Sequence, residues 1–168
     1  MTVRIDAIAE HHIDGFRESV DRVARERKYL ASTEGFSREA TAEFVRSILA
    51  GDGVAFVAVD DERVVGWCDI TRTRYEGQQH CGRLGMGLLP PYRGRGLGRS
   101  LLDATLGAAA DIGLSRVELE VFASNTAARR LYDKLGFVEE GVKRRARIID
   151  GVVDDIVCMA IFVPAACP

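Results

Sequence analysis

The residues with the clearest chemical signature form a glycine- and arginine-rich stretch, residues 93–98, in the middle of the chain. It reads Arg-Gly-Arg-Gly-Leu-Gly, follows an apolar run (84–89) and opens a helical pattern (97–112). The first N–H groups of a helix have no partner within the helix, so a glycine-rich turn into a helix leaves an anion-binding site. Arg93, Arg95 and Arg99 add positive charge. The stretch therefore predicts a phosphate site, with a pyrophosphate as the favoured ligand.

Two common phosphate-binding motifs do not fit this stretch. A Walker A loop requires a lysine after its last glycine, and none follows here. The dinucleotide fingerprint Gly-x-Gly-x-x-Gly matches Gly94 and Gly96 but meets Arg99 at its third position, although Glu118 stands about 20 residues further on, where that motif places its ribose-binding acid. That fingerprint also belongs near the start of a domain. What remains over residues 93–98 is the pattern Arg-x-x-Gly-x-Gly.

A second motif spans the next predicted helix. Asn125 begins the spacing Asn-x-x-Ala-x-x-x-Tyr-x-x-x-Gly-Phe, which places a tyrosine at position 132. Asn125 is a good helix cap, and Leu131 and Leu135 form an i,i+4 pair that faces the core. Tyr132 lies beside that stripe, where its phenol can be half buried with the hydroxyl in a cleft. Taken alone, Tyr132 is more typical of a packed core tyrosine, and the motif at residues 93–98 is what favours a catalytic role.

The two motifs together resemble those of the GCN5-related N-acetyltransferase (GNAT) family, and the order of elements matches that fold over nearly the whole chain. The resemblance implies a mixed α/β (α+β) fold in one domain (1–168), with a mostly antiparallel sheet that contains a splayed parallel strand pair and is flanked by helices. It implies acetyl-CoA as cosubstrate, held between strands 84–89 and 116–122. The implied contacts are Met86, Gly87 and Leu88 for the pantetheine and thioester, and Arg93, Gly94, Arg95, Gly96, Leu97, Gly98, Arg99 and Asn125 around the pyrophosphate.

Glycines at positions 85 and 87 interrupt the strand that precedes the loop. Glycine weakens a strand interior and marks a bulge or a close backbone approach. A pantetheine arm lying against the backbone would explain Gly85 and Gly87, and a bulge without a ligand is the alternative.

Transfer of an acyl group to an amine requires a neutral amine. An amine with a pKa of ~10.4 is neutral only about 0.04% of the time at pH 7, so a general base is useful. Glu120 matches the catalytic glutamate of the ribosomal-protein alanine acetyltransferase subgroup, and partial burial would raise its pKa. Asp69 and Glu34 compete for this role, and a solvated Glu120 without a catalytic role is the alternative.

The resemblance implies that Tyr132 protonates the leaving thiolate, while a backbone N–H near Leu88 holds the oxyanion. No covalent enzyme intermediate is required, so Cys68, Cys81, Cys158 and Cys167 are interpreted as reduced thiols rather than nucleophiles. His11, His12 and His80 lack metal-ligand spacing, and no metal is expected.

The acceptor is the least defined part of the sequence. In this fold its pocket is formed by the loop between the first two helices and by the last hairpin. The candidate acceptor residues are Tyr29, Glu34, Trp67 and Asp69, with Lys143, Arg144, Arg145 and Arg147 on the hairpin. An arginine and an aromatic ring suit an amino acid, whereas solvated hairpin charges are the alternative. The ending Asp-Gly-x-x-x-Asp-x-x-x-Met-Ala (150–160) is similar to that of amino-acid acetyltransferases.

We therefore expect an N-acetyltransferase that acts on a small-molecule amine or amino acid. Two alternatives stay open: acetylation of a protein N-terminus, and a non-catalytic acyl-CoA-binding or sensor domain.

The elements that must position these residues follow from periodicity and turn signals. The sequence predicts strands at 3–7, 54–59, 63–71, 84–89 and 116–122, and a final hairpin (137–149 and 152–162) with its turn at Asp150-Gly151. Helices are predicted at 10–30, after Ser37, at 97–112 and at 125–135. One strand–helix–strand crossover should make strands 84–89 and 116–122 parallel.

The composition places limits on function. The 168 residues are 47% hydrophobic and 29% charged, with a net charge of −2. This favours a globular cytoplasmic protein and argues against nucleic-acid binding, while no run approaches the ~20 apolar residues of a membrane helix. A homodimer is compatible with the sequence.

Overall fold

The computed structural model describes residues 2–164. Four α-helices and seven strands alternate along the chain. The helices are α1 (Ile13–Arg25), α2 (Arg38–Ser47), α3 (Leu97–Asp111) and α4 (Thr126–Leu135). The strands are β1 (Arg4–Ala7), β2 (Gly53–Asp60), β3 (Arg63–Arg72), β4 (Cys81–Leu88), β5 (Arg116–Phe122), β6 (Val138–Ile149) and β7 (Val152–Phe162).

The strands form one sheet in the order β1-β2-β3-β4-β5-β7-β6. Neighbouring strands are antiparallel except for β4 and β5, which are the parallel pair within the described residues. The predicted mixed sheet and the predicted crossover through α3 are therefore confirmed. The last hairpin turns at Asp150 and Gly151, whose φ angles of 53° and 73° are those of a type I′ turn.

Helix α1 is shorter than the predicted helix at 10–30. A single 3₁₀ turn (Glu10–His12) precedes it, and the helix ends at Arg25. Arg27 adopts a left-handed conformation (φ 57°), which does not continue a right-handed helix. Apolar periodicity alone did not reveal this end, because a left-handed arginine carries no sequence signal comparable to that of glycine.

The other helix ends follow the sequence closely. The hydroxyl of Ser37 accepts a hydrogen bond from Ala40 N, as expected of an N-cap. Asn125 caps α4 by accepting from Ala128 N at 3.2 Å. Gly136 ends α4 in a left-handed conformation (φ 96°). Among the described helices, none is long and apolar enough to cross a membrane.

The two faces of the sheet are covered by different helices. On one face, Phe16 of α1 packs edge-on against Trp67 of β3, with ring centroids 6.0 Å apart. On the opposite face, the hydroxyl of Thr105 in α3 lies 3.4 Å from the carbonyl oxygen of Cys68. Because side chains alternate along a strand, Asp69 lies on the α1 face together with Trp67.

The expected free thiols are present where the structure describes them. Cys68, Cys81 and Cys158 are unpaired, and Cys167 lies outside the described residues. Burial raises the pKa of the Cys68 thiol well above its usual range. Since the thiolate is the nucleophilic form, Cys68 is a packing residue and is unsuited to attack an acyl group.

Candidate active site

Strands β4 and β5 separate soon after they pair. The last matched residues are Arg83 and Glu118, and beyond them the strands diverge. On its other side β4 stays paired with β3 as far as Leu88, and β5 stays paired with β7 as far as Phe122. We call the gap between the diverging strands the strand opening. The predicted splayed pair is therefore present, and its paired part begins at Cys81, three residues earlier than the sequence suggested.

Backbone groups of β4 point into the strand opening. The N–H of Leu89 donates to Val65 O at 2.9 Å, and that of Thr73 donates to Cys81 O at 3.0 Å. Hydrogen-bonded and non-bonded residue pairs alternate in an antiparallel ladder, so the odd-numbered residues of β4 bond to β3. The even-numbered residues direct their N–H and C=O groups toward β5; beyond the paired region these are Leu84, Met86 and Leu88.

Strand β5 also directs backbone groups into the strand opening. Val163 N donates to Ser115 O, and Ala123 N donates to Asp155 O, both at 2.9 Å. By the same alternation, the backbone groups of Glu120 and Phe122 face β4 rather than β7. On both sides, the strand opening thus has main-chain groups that no neighbouring strand pairs, and of these Leu88 O accepts a hydrogen bond from Arg93 Nε. An extended amide-containing ligand needs such donors and acceptors.

The glycine loop (residues 93–98) stands at the end of the opening, where β4 leads into α3. Gly94 and Gly96 have φ angles of 70° and 83°, and an added Cβ at either position would meet nothing within 4 Å. Gly96 is the N-cap of α3 and supplies no side-chain cap. The first N–H groups of α3 have no partner within the helix and lie at the positive end of its dipole. This geometry fits the pyrophosphate expected from the sequence.

Gly98 has a different role from the other two glycines. An added Cβ there would lie 3.1 Å from Leu131 Cδ2 and 3.6 Å from atoms of Leu88 and Met86. Gly98 is buried in the first turn of α3. Its missing side chain lets α3 approach α4 and β4 closely, so it shapes the site from behind.

The sequence predicted that Arg93 adds positive charge to the anion site, but in the structure its side chain is directed toward α1. Its guanidinium donates to both carboxylate oxygens of Glu26 and, through Nε, to Leu88 O at 2.8 Å. The Tyr29 ring lies against it, 4.6 Å from Cζ. Arg93 therefore anchors the loop to α1, whereas Arg95 and Arg99 remain exposed beside the α3 N-terminus.

The glycine loop has a second anchor. The hydroxyl of Tyr92 donates to Asp60 Oδ2 at 2.8 Å, and this bond raises the pKa of Tyr92. Asp60 is buried at the end of β2. Neither Asp60 nor Glu26 was recognised in the sequence, because a lone carboxylate on a strand or helix end gives no spacing signal.

Tyr132 lies deeper than expected, with only 6% of its surface exposed. Its ring packs 5.6 Å from that of Phe137. Burial, followed by the proximity of Cys68, raises the pKa of the phenol. Cys68 is the cross-strand partner of Met86, which places Tyr132 near the strand opening on the α3 and α4 face. A phenol with a raised pKa keeps its proton at neutral pH, so Tyr132 holds a hydroxyl hydrogen near the strand opening.

A large apolar pocket lies on the other face of the sheet, between α1, α2 and the strands below them. Its volume is about 660 Å³, and we refer to it as the apolar pocket. Trp67 and Asp69 line its floor, as the sequence suggested, together with Arg83, Gly85 and Met86. Its walls come mainly from Phe16, Leu30, Phe36 and Phe44. Of the remaining predicted acceptor residues, Tyr29 packs on Arg93 and Glu34 is exposed, and neither lines the pocket.

Asp69 is the titratable group most strongly affected by this pocket. Burial raises the pKa of its carboxyl to about 7. It faces Gly85 across the strand pair, and a Cβ at Gly85 would lie 3.3 Å from Asp69 Oδ2. Gly85 is also just past the last pairing of β4 with β5. Asp69 therefore lies one strand away from the point where the strand opening begins.

The structure corrects the explanation of the two glycines in β4. An added Cβ at Gly87 would lie 2.3 Å from Trp67 Cη2, so this glycine makes room for the indole. Gly85 makes room for the Asp69 carboxylate. Gly87 also has an odd number and gives its backbone groups to β3. It is therefore not positioned to hydrogen-bond a ligand in the opening, in contrast to Met86 and Leu88.

Glu120 lies on the same face of the sheet but in a charged environment. Its carboxylate is 2.5 Å from Lys143 Nζ and 3.4 Å from Arg83 Nη2. With Arg83 and Cys158 it lines a smaller cavity of about 100 Å³. Arg83 lines both cavities and so lies between Glu120 and Asp69. Glu120 is therefore paired with two cations, a different setting from the partial burial expected.

The hairpin cations make contacts within the protein. Arg144 pairs with Asp155 at 2.8 Å, and the backbone N–H of Arg145 donates to the same carboxylate. Arg147 lies over the Phe122 ring at 4.2 Å and donates to Arg27 O. These cations fasten the hairpin rather than line the apolar pocket.

Comparison with known proteins identifies the family of this chain. The profile of the Acetyltransferase (GNAT) family matches residues 15–137. An uncharacterized N-acetyltransferase, YycN of Bacillus subtilis, is 37% identical over 84 residues, or 50% of this chain and 54% of that protein. The [ribosomal protein bS18]-alanine N-acetyltransferase of Escherichia coli is 38% identical over 72 residues, 43% of this chain and 49% of that protein. The chain thus spans about half the length of these relatives.

The fold is shared with solved structures. YncA of Salmonella typhimurium, a putative acetyltransferase determined with acetyl-CoA, has a TM-score of 0.91 at 15% identity, covering 100% of this chain and 98% of that one. The fold expected from the sequence is thereby confirmed.

Proposed function

The chain belongs to the Acetyltransferase (GNAT) family, and we propose that it transfers an acetyl group from acetyl-CoA to the primary amine of a small molecule, by direct attack in a ternary complex. One observation carries the proposal. The strand opening separates an anion-binding helix end on the α3 side from an apolar pocket on the α1 side, and a carboxylate with a raised pKa lies on the floor of that pocket. A donor and an acceptor can therefore approach the same gap from opposite faces.

The donor side uses the glycine loop and β4. The free N–H groups at the start of α3 would hold the pyrophosphate, and Gly94 and Gly96 leave space for it. Arg95 and Arg99 add positive charge. The backbone groups of Met86 and the N–H of Leu88 would pair with the amides of the pantetheine arm, as an added strand would. Bound there, acetyl-CoA supplies an activated thioester carbonyl.

The acceptor side requires removal of a proton from an ammonium group. Asp69 is the base we favour, because a carboxyl pKa of about 7 matches the operating pH at which general-base catalysis is most effective. One proton of the ammonium group passes to Asp69 directly or through water, and the neutral amine then attacks the thioester carbonyl to give a tetrahedral adduct. The C–S bond breaks as this adduct collapses to the amide, and the nitrogen releases its second proton to solvent. Glu120, the base inferred from the family resemblance, stays a competing prediction. Its pairing with Arg83 also suits it to hold that arginine in place.

The leaving thiolate needs a proton on the other face. Tyr132 is protonated at neutral pH and lies beside Cys68, the cross-strand partner of Met86. We propose that its hydroxyl protonates the thiolate of coenzyme A and is reprotonated from solvent. Asp69 and Tyr132 would then act from opposite sides of the sheet.

Acetylation of a protein N-terminus is a second candidate function. The observation in its favour is the 38% identity with the bS18-alanine N-acetyltransferase over 72 residues. That match covers less than half of each chain, and a peptide acceptor would have to enter the apolar pocket as an extended segment.

A combined binding and turnover experiment tests the proposal. Calorimetry measures acetyl-CoA binding, and thiol release is followed with a panel of amines and N-terminal peptides. Binding together with turnover of a small amine supports the proposal, whereas turnover of peptides alone supports the second candidate. Tight binding with no turnover on any amine would identify a non-catalytic acyl-CoA sensor and overturn both.

A further inference from the structure

The apolar pocket defines a class of acceptor. We infer that the amine accepted by this protein carries a large uncharged apolar body, aryl or branched alkyl, rather than a second ammonium group, a carboxylate or a sugar. This inference rests on the proposed acetyl transfer and adds the substrate class to it. It follows from the lining, the charges and the rim of the pocket.

Aromatic side chains form the inner wall. Phe16 lies between Phe44, stacked at 5.8 Å, and Trp67, edge-on at 6.0 Å. Phe16 and Trp67 are buried at 6% and 4% exposure, so their positions are fixed by the core. Val20 and Leu30 continue the apolar surface. Such a wall favours a flat or branched hydrocarbon group, since aromatic pairs prefer offset and edge-on contacts.

The pocket offers few charges. Asp69 lies on its floor and faces the position that an ammonium group must occupy to reach the strand opening. Arg83 is the cation among the lining residues, and it is paired with Glu120. The hydroxyl of Thr41 donates to the Ser37 carbonyl in its own helix. A second ammonium group would meet Arg83, and an acceptor carboxylate would have to compete with Glu120 for Arg83.

Phe36 forms an outer rim that an apolar ligand would cover. It lines the pocket and leaves 59% of its surface exposed. The neighbouring Gly35 fixes it in place, because Gly35 N donates to Asp21 Oδ1 at 2.8 Å and a Cβ there would lie 2.7 Å from Asp21 Cβ. Contact with Phe36 removes apolar surface from water on both partners, which favours binding in proportion to the buried area.

The size of the pocket agrees with this class. A volume of about 660 Å³ lies within the range of roughly 300–1,000 Å³ found for small-molecule sites. An arylalkyl amine fits within it, and a short polar amine would leave most of the apolar wall in contact with water.

Initial rates of thiol release with acetyl-CoA test the inference. The amines are phenethylamine, 3-methylbutylamine, ethylamine, spermidine, L-glutamate and L-phenylalanine. We expect kcat/KM for phenethylamine and 3-methylbutylamine to exceed that for ethylamine at least about tenfold, in line with the burial of several methylene-sized groups. L-phenylalanine should be slower than phenethylamine, since it adds a carboxylate. Higher kcat/KM for spermidine, L-glutamate or L-phenylalanine than for phenethylamine would overturn the inference.

Two exposed positions supply variants that should fold. Phe36→Ala should raise KM for phenethylamine about tenfold while the KM for acetyl-CoA stays unchanged. Ala40→Trp, on the pocket side of α2, should fill the space and remove the preference for phenethylamine over ethylamine. Tyr75→Ala is the matched control, because Tyr75 is 75% exposed and is not part of the pocket lining.

The outcomes separate this inference from the proposed function. Turnover restricted to polar amines would overturn the apolar class and leave acetyl transfer intact. Binding of acetyl-CoA without turnover of any amine would overturn the proposed function itself. Equal effects of Phe36→Ala and Tyr75→Ala on KM for phenethylamine would also overturn the inference.

Discussion

The guanidinium of Arg93 donates to both carboxylate oxygens of Glu26, at 2.9 and 2.5 Å. The pair joins the glycine loop to the residue that follows α1, and its side chains are only 31% and 24% exposed. Arg93 also holds the Leu88 carbonyl, one of the groups that face the strand opening. Arg93 therefore contributes to the site by fixing the conformation of the glycine loop.

Replacing Glu26 with alanine should lower the melting temperature by roughly 2–8 °C, because hydrogen bonds to a charged group contribute about 1–2 kcal/mol here. It should also raise KM for acetyl-CoA, since the loop loses an anchor. Thermal melts and steady-state kinetics provide the measurements. The control is Glu18→Ala, which breaks the exposed Glu18–Arg22 pair on α1 and should change the melting temperature by at most a few degrees. Equal melting temperatures for the two variants would contradict the anchoring role.

Gly96→Glu tests the pyrophosphate site against a control on the same helix. Gly96 and Gly113 flank α3, with φ angles of 83° and 81°, and both have open space at the Cβ position. A side chain costs about 1–2 kcal/mol in this conformation, so both glutamate variants should lose similar stability. Gly96→Glu alone should abolish acetyl-CoA binding by calorimetry, because it adds a carboxylate where the phosphate charge is expected. Retained affinity in Gly96→Glu would show that the cofactor lies elsewhere.

The sequence predicted most of the framework because local signals agreed with the fold. Ser37, Asn125 and Gly136 end helices where their chemistry predicts, and the Asp150-Gly151 turn has the expected geometry. The crossover rule predicted the parallel pair. The sequence predicts a first helix that is longer than α1, since the end of α1 depends on a left-handed Arg27.

The site was predictable only in part. Spacing identified the glycine loop and Tyr132, but the partner of Arg93 is a carboxylate 67 positions away in the chain, and such a pairing leaves no local pattern. Phe16 and Phe44 are apolar residues of α1 and α2 that line the pocket, and an apolar helical residue has the same sequence pattern in a core as in a pocket wall. The surroundings of Asp69 depend on strand register, which places it opposite Gly85.

Asp69 and Glu120 can be distinguished by the pH dependence of kcat/KM. If Asp69 is the base, activity should rise with pH through about 7, the raised pKa of its carboxyl. Asp69→Asn should reduce kcat by roughly 10²–10⁴-fold and remove that rise. Glu120→Gln should retain the pH profile with a smaller loss. A lost rise in Glu120→Gln, with a normal profile in Asp69→Asn, would assign the base to Glu120 instead.

The same carboxyl affects stability in a defined direction. Its pKa is raised to about 7 in the folded protein from about 3.9 in an unfolded chain, so between these values the folded state binds the extra proton. Wild-type stability should therefore fall as the pH rises from 4 to 7. Asp69→Asn lacks this effect, and its melting temperature relative to wild type should increase from pH 5 to pH 8. A difference that is constant or decreases over this range would show that the pKa of the Asp69 carboxyl is not raised in the folded protein.

Tyr132→Phe tests the proton donor on the opposite face. The ring stays packed on Phe137, so acetyl-CoA affinity should change little, while kcat should fall roughly 10²–10⁴-fold if the hydroxyl protonates the thiolate. Tyr92→Phe is the control, because it removes the hydroxyl that bonds to Asp60 and should affect loop stability and KM more than kcat.

The dependence of the rate on the leaving thiol gives a second test of Tyr132 as the proton donor. A less basic leaving group needs the acid less, so an acyl thioester with a more acidic thiol should restore much of the rate in Tyr132→Phe. Equal rate losses with both thioesters would indicate that Tyr132 acts through packing alone.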